Sequence, residues 1–193
     1  VRDWSASPTD EVLFPYSTDV ALIDEAQLRR EMWALRTLLW SRNDFGGRTY
    51  REAGRPYWSY HQIPVARNRI PLTIAFAFVA THNHFVLDRG GKAFNRTAPV
   101  IKLPVGASVQ LHLELLGLLN SSTACFWLKQ RGQNRGDSTD SHGARVTGDP
   151  AFDTYEFTAA MVGAFPIPSD AQQEWSAKVD ALAQRRAGTL PSA

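Results

Sequence analysis

The chain has 193 residues, 44% of them hydrophobic and 21% charged, with a net charge of +2 at pH 7. That is ordinary globular composition, with length for one domain and a core that takes roughly 70% of the unfolded surface out of water. The single cysteine, Cys125, excludes an intramolecular disulfide and points to a reduced, cytoplasmic compartment. The longest apolar run, residues 70–80, is shorter than the about 20 residues that span a bilayer, so a soluble chain with no membrane partner is expected.

The charge is unevenly spread. Residues 1–28 carry one basic group against six acidic ones, residues 29–103 carry thirteen against four, and residues 104–193 carry seven against nine. Eleven of the thirteen central cations are Arg, the side chain suited to bidentate contact with phosphate and guanine. A polyanionic partner is one reading; a solvated basic surface is the other.

In chain order, residues 1–23 read as an irregular lead-in with Pro8 and Pro15. The VRDWSASP start, without methionine, points to a piece of a longer protein. Asp24 can cap a helix with Gln27 three residues on, and Leu28, Met32, Leu35 and Leu39 recur at helical spacing over four to five turns. Ser41–Gly54 breaks this pattern with Gly46, Gly47 and Gly54 and reads as an exposed basic loop. Pro56 and Pro64 bracket RPYWSYHQIP, which excludes a continuous helix there.

Leu72, Ile74, Phe76 and Phe78 alternate as in a strand, with His84–Asp88 as partner and Asp88–Lys92 as a glycine-bearing hairpin turn. Ala98–Leu103 is a third strand. Ser108 caps a helix with Leu111, Leu115 and Leu118 near one face. Asn120-Ser121-Ser122 ends that helix and caps another to about Gln130, with Cys125 on its core side. Residues 131–150 read as a long loop, Phe165–Pro168 as extended, and Ser169 or Asp170 as the cap of a helix to about Arg186. The expected fold class is α/β (mixed α+β), a small mixed sheet with a hairpin and flanking helices. One domain, 1–193, is expected, with lead-in and helix to 41, a core over 42–168 and a closing helix over 169–193.

Catalytic signatures are absent. Neither a Pro-Pro pair among the eleven prolines nor a Gly-x-Gly among the thirteen glycines occurs. That excludes the dinucleotide fingerprint, and no glycine-rich loop ends in Gly-Lys-Ser/Thr. His82 and His84 share a strand face and can bind one metal if Asp88 or another ligand joins them, the basis of a metal-dependent nuclease reading. Polar or DNA-facing histidines are the plainer reading. Ser121 and Ser122 lack a nucleophile-elbow context.

The stretches THNHFVLDRGGKAFN, APVIKLP and LLGLLNSSTACFWLKQ resemble the target-recognition half of adenine-specific DNA methyltransferases, in particular the phage-growth-limitation (PglX) methyltransferases of type 2 BREX phage defence. The resemblance runs from the VRDWSASP opening to FPIP. In that family an Asn-Pro-Pro-aromatic clamp holds the flipped base, and it is absent here. The resemblance therefore implies a DNA-reading piece rather than an enzyme, with no cofactor of its own. S-adenosylmethionine would be bound by a catalytic domain elsewhere in the parent protein. Double-stranded DNA, that catalytic domain and other BREX proteins are the implied partners. A module that docks other defence proteins without touching bases is the alternative.

DNA readers set register through phosphate contacts and specificity through base edges. Arg55-Pro56-Tyr57-Trp58-Ser59-Tyr60-His61-Gln62 is the leading candidate, with Arg55, Trp58, His61 and Gln62 as contacts; it resembles a GRPW-aromatic-x-W-H-Q stretch of the family. Gln pairs bidentately with adenine and Arg with guanine. Trp58 and Tyr60 as core packing, with Arg55 structural, is the competing reading. Arg42, Arg48 and Arg51 form an expected phosphate-contacting set. Thr81, His82, Asn83 and His84 lie at an expected strand turn, and Lys129, Arg131 and Arg135 enter the long loop, where the sequence departs from the glycine-rich segment of its relatives. FPIPSDAQQEWSAKVDALAQR resembles the segment that closes recognition domains in type I specificity subunits.

Overall fold

The computed structural model describes residues 4, 6, 11–24, 26–63, 65–68, 70–90, 92–136, 148–168 and 175–189. The chain folds as two compact units, Glu11–Ile70 and Pro71–Ala193 with Val1–Asp10. This partition falls inside the stretch that the sequence reads as one core over 42–168. The chain is mixed α/β: among the described residues the first unit holds short helices and isolated bridges, and the second holds helices with two three-stranded antiparallel sheets.

The first unit opens with α1 (Ala26–Glu31), a single 3-10 turn (Trp33–Leu35) and α2 (Arg36–Trp40). The four-to-five-turn helix expected here is therefore interrupted. The interruption coincides with a tertiary contact: Tyr57 Oη donates to the carbonyl of Arg29 at 2.7 Å, the group an unbroken helix would offer to residue 33. Leu28, Tyr57 and Trp58 form the buried centre, with Leu22, Met32, Leu39 and Trp40 packed around them. Leu35, expected on the apolar stripe, is instead 54% exposed. A short helix, α3 (Val65–Asn68), follows.

In the second unit β1 (Thr73–Phe76) is the central strand of the first sheet, with β3 (Phe85–Asp88) and β4 (Val100–Ile101) on either side, both antiparallel. All four residues of β1 and of β3 are buried, so alternation is lost where both faces of a sheet are covered. Phe76 pairs with Phe85 across the strands, their rings 5.3 Å apart. Burial of each such ring stabilises the fold by about 1.5–3 kcal/mol.

This order corrects the expected hairpin at Asp88–Lys92, because β3 and β4 are not neighbours. The reversal joining β1 to β3 lies over 77–84, where Ala77 N donates to His84 O at 3.2 Å. That reversal carries β2 (Val79–Ala80) into the second sheet, ordered β2-β6-β5, with β6 (Thr154–Glu156) central and β5 (Gln133–Gly136) opposite β2.

Helix α4 (Val109–Leu119) is capped by Ser108, whose hydroxyl accepts from Leu111 N at 3.1 Å. Its buried face holds His112, Leu113, Leu116 and Leu119, while Leu111 is 47% exposed. The face is thus rotated from the Leu111, Leu115, Leu118 stripe, because α4 packs against both β3 and α7 (Ser176–Thr189). Contact with α7 is close: a Cβ on Gly117 would meet the Ser176 side chain.

Helix α5 (Ser122–Arg131) starts at the Ser121 cap and buries Ala124 and Leu128. Cys125 is only half-buried, since i, i+4 spacing from Ala124 to Leu128 fixes the inward face. Part of the expected long loop is β5, and residues 137–147 lie outside the described residues. Helix α6 (Ala159–Gly163) is capped by Thr158. The closing helix, expected from Ser169 or Asp170, is described from Ser176; 169 and 170 lie outside the described residues.

Candidate nucleic-acid interface

The residues singled out from the sequence divide between the two units: Arg42, Arg48, Arg51, Arg55, Trp58, His61 and Gln62 in the first, Thr81, His82, Asn83, His84, Lys129, Arg131 and Arg135 in the second.

In the first unit the arginines separate by role. Tyr50 is fully buried, and the guanidinium carbons of Arg42 and Arg55 each lie 4.4 Å from its ring centroid. Arg42 also donates to three carbonyls, of Leu39 at 2.9 Å, Tyr57 at 2.8 Å and Ser59 at 3.0 Å. Arg55 donates to Tyr60 O at 3.3 Å and His61 O at 3.4 Å. These two cations therefore hold the 55–62 segment to the 39–50 segment. Carbonyl bonds and a ring neighbour satisfy donors that a phosphate or guanine would otherwise take.

Trp58 is 9% exposed and its indole donates to Ile23 O at 3.0 Å. Trp58 and Arg55, both expected as DNA contacts, thus have their polar groups engaged within the first unit, Trp58 buried and Arg55 half-buried. The edge-to-face ring pairs Tyr57–Trp58 and Tyr57–Trp40, at 5.0 and 5.3 Å, complete this packing.

A different set reaches solvent. Residues 43–49 form a tight loop closed by the Asn43–Thr49 bridge and by Asp44 N donating to Arg48 O at 2.7 Å. The Asp44 carboxylate accepts from Gly46 N at 2.8 Å and Arg48 N at 3.1 Å. Gly47 supplies the left-handed step at φ +76°. Glu52 accepts from Thr49 N and Thr49 Oγ1, both at 2.8 Å.

Partial burial pushes the Asp44 carboxyl up, but the amides of Arg48 and Gly46 and the nearby guanidinium outweigh it and hold it below its ordinary value. The Thr49 amide and hydroxyl lower Glu52 in the same way. On this frame Arg48 is exposed beside Asp44, 3.4 Å away, and Arg51 and Gln62 are exposed. His61 is also exposed, its Nδ1 3.4 Å from Tyr50 Oη. Phe45, which sequence reasoning missed, is 77% exposed and its ring lies 4.5 Å from that of His61. The only local signal was an aromatic beside two glycines.

In the second unit, Asn83 and His84 are buried. Asn83 Nδ2 donates to Leu119 O, tying the start of β3 to the end of α4. His82 is exposed and shares a 3.0 Å hydrogen bond with Thr81 Oγ1. The His82 and His84 rings are 4.0 Å apart, yet among the described residues no group of three potential metal ligands forms.

Because β2 and β5 both run antiparallel to β6, Thr81 and His82 leave the sheet at the same end as Arg135 and Gly136. Lys129 lies 4.9 Å from the Tyr155 ring and Arg131 4.9 Å from that of Trp127. Arg135 is paired with Glu156, its Nε donating at 2.9 Å. Thr81, His82, Lys129 and Arg131 thus remain as candidates around one small sheet and the helix before it.

No family model matches the chain, and no solved structure matches it. Its sequence relationship is nevertheless definite: along its whole length the chain is similar to part of an adenine-specific methyltransferase. The relative is the adenine-specific methyltransferase PglX of Streptomyces coelicolor (strain ATCC BAA-471 / A3(2) / M145), 47% identical over 197 residues, a match that takes in 100% of this chain and 16% of PglX. The chain spans about a sixth of the length of that protein, and no helix among its described residues is long and apolar enough to cross a membrane.

Proposed function

We propose that this chain is the DNA-reading part of an adenine-specific methyltransferase of the PglX kind, corresponding to a C-terminal region of the parent. The carrying observation is that all of this chain matches 16% of PglX while it lacks the Pro-Pro and Gly-x-Gly elements of methyl transfer. Chemistry on adenine, with S-adenosylmethionine as methyl donor, belongs in this reading to the remainder of the parent in the bacterial cytoplasm. This part orients duplex DNA and selects the site, marking host DNA in BREX defence alongside other BREX proteins.

The exposed Arg48, Arg51 and Gln62 suit this role: two cations for phosphates, and an amide whose donor and acceptor match the adenine edge. The frame beneath them is closed by hydrogen bonds, which favours recognition at low entropic cost. In vitro selection from a random duplex pool tests the reading. A consensus should emerge with the unaltered chain; a pool that stays random overturns sequence reading.

A second reading, a protein-docking module, rests on the exposed Trp33, Leu35 and Leu38, at 54%, 54% and 68%. Exposed apolar clusters mark interaction sites. The same selection separates the two, since a docking module enriches no sequence.

A further inference from the structure

Phe45 stands at the tip of the 43–49 loop, and the loop is built to hold it there. Four backbone and carboxylate hydrogen bonds, with glycine at the left-handed position, fix the turn. A ring left 77% in water contributes almost nothing to the core. Below it, the His61 ring lies 4.5 Å away at a 59° tilt, and His61 in turn lies near-parallel to Tyr50, 16° between planes and 6.2 Å between centroids. A chain of three ring contacts thus runs from solvent to the fully buried Tyr50, whose ring is held by Arg42 and Arg55. Arg48, 3.4 Å from Asp44, and Arg51, 5.7 Å from the Trp40 ring centroid, are exposed in the same stretch, and residues 42–70 carry six Arg against two acidic residues.

An exposed apolar ring on a hydrogen-bonded loop whose stretch also carries exposed cations matches a ligand with flat apolar faces between anionic groups. Nucleic acid has that chemistry: phosphates for the arginines and a base face for the ring. Apolar side chains inserted at a base step partly unstack it, and base–aromatic stacking contributes strongly to affinity. An enzyme that modifies adenine must also take the base out of the stack, which a side chain filling the step would assist.

We infer that Phe45 is a stacking wedge that enters the DNA base stack while Arg48 and Arg51 hold the adjoining phosphates. This inference rests on the DNA-reading role proposed above and adds the residue that deforms the duplex.

The test uses the whole chain and duplexes carrying 2-aminopurine at successive positions of the selected consensus, read by fluorescence and by anisotropy. The unaltered chain should raise 2-aminopurine emission at one step. Phe45→Ala should lose that rise and bind on the order of tenfold more weakly, with an unchanged salt slope because no charge is removed. Phe45→Trp should restore both. Arg48→Ala should lower the salt slope and keep the emission change in whatever complex remains.

If the unaltered chain binds DNA and Phe45→Ala gives the same affinity and emission, the wedge is overturned while the DNA-reading role stands. A Phe45→Ala chain that reads DNA normally but no longer associates with the rest of the methyltransferase also overturns it, in favour of a protein contact. No duplex binding by the unaltered chain overturns both.

Discussion

Asn120 makes both main-chain hydrogen bonds of Phe85: its Oδ1 accepts from Phe85 N at 3.0 Å and its Nδ2 donates to Phe85 O at 3.0 Å. A side-chain amide thereby stands in for a neighbouring strand at the outer edge of β3. Because Asn83 also donates to Leu119 O, the α4–α5 turn is fastened to the start of β3 from both sides. Asn120→Ala leaves an amide and a carbonyl unsatisfied next to a buried ring, at a cost of about 1–3 kcal/mol. Urea denaturation should show a lower midpoint with an unchanged slope.

The four arginines of the 42–55 stretch should separate by readout. Arg42→Ala removes three carbonyl bonds and a ring contact, so thermal denaturation should show a loss of roughly 2–4 kcal/mol. Arg42→Lys should not rescue it, since an ammonium lacks the planar fork. Arg55→Ala should behave alike but more mildly. Arg48→Ala and Arg51→Ala, at exposed positions, should leave stability within about 0.5 kcal/mol.

The 43–52 loop should loosen in acid. Asp44 and Glu52 are held below their ordinary values of 3.8 and 4.5. A carboxyl whose folded value is depressed contributes stability that is fully present above its unfolded value and lost as pH falls through the folded one. Amide exchange at Gly46 and Thr49 should therefore stay protected above about pH 4.5 and accelerate, beyond its intrinsic pH dependence, on further acidification. Asp44→Asn should remove the acid dependence at Gly46.

Gln62 is exposed and follows His61 in sequence. In the full-length methyltransferase, Gln62→Ala should relax the methylated motif at one position, a loss of roughly 1–3 kcal/mol of discrimination there. Mapping methylated adenines across the genome reads this out, and an unchanged motif with full activity removes Gln62 as a base reader.

Elements are legible in the sequence where their cause is local. Ser108 and Ser121 cap α4 and α5 because a hydroxyl accepts from the amide three residues on, and Ile74 and Phe76, of the Leu72–Phe78 alternation, lie in β1. Legibility ended where partners come from afar. Gln133–Gly136 has no strand pattern and becomes β5 because Thr154–Glu156 supplies its bonds, aided by Asn134–Asp153 and Arg135–Glu156. The interruption between α1 and α2 coincides with a hydroxyl from Tyr57. In the candidate site, composition identified a cluster of cations, but which ones bond carbonyls and which face solvent depends on the placement of Tyr50. Phe45 carried no signal beyond its glycine neighbours, because exposure on a rigid loop is a property of the fold.

The central claim, that this chain contacts duplex DNA through the exposed arginines of the 43–52 loop, is tested most directly by anisotropy of a labelled duplex across a salt series. Affinity of the unaltered chain should fall steeply and linearly in the logarithm of salt concentration, by about 0.9 per phosphate neutralised. Replacing Arg48 and Arg51 with Ala should lower that slope by about one for each phosphate left without its arginine, and weaken binding to all sequences alike. Duplex binding that is absent at low salt, or whose slope is the same in the double variant, would contradict the claim.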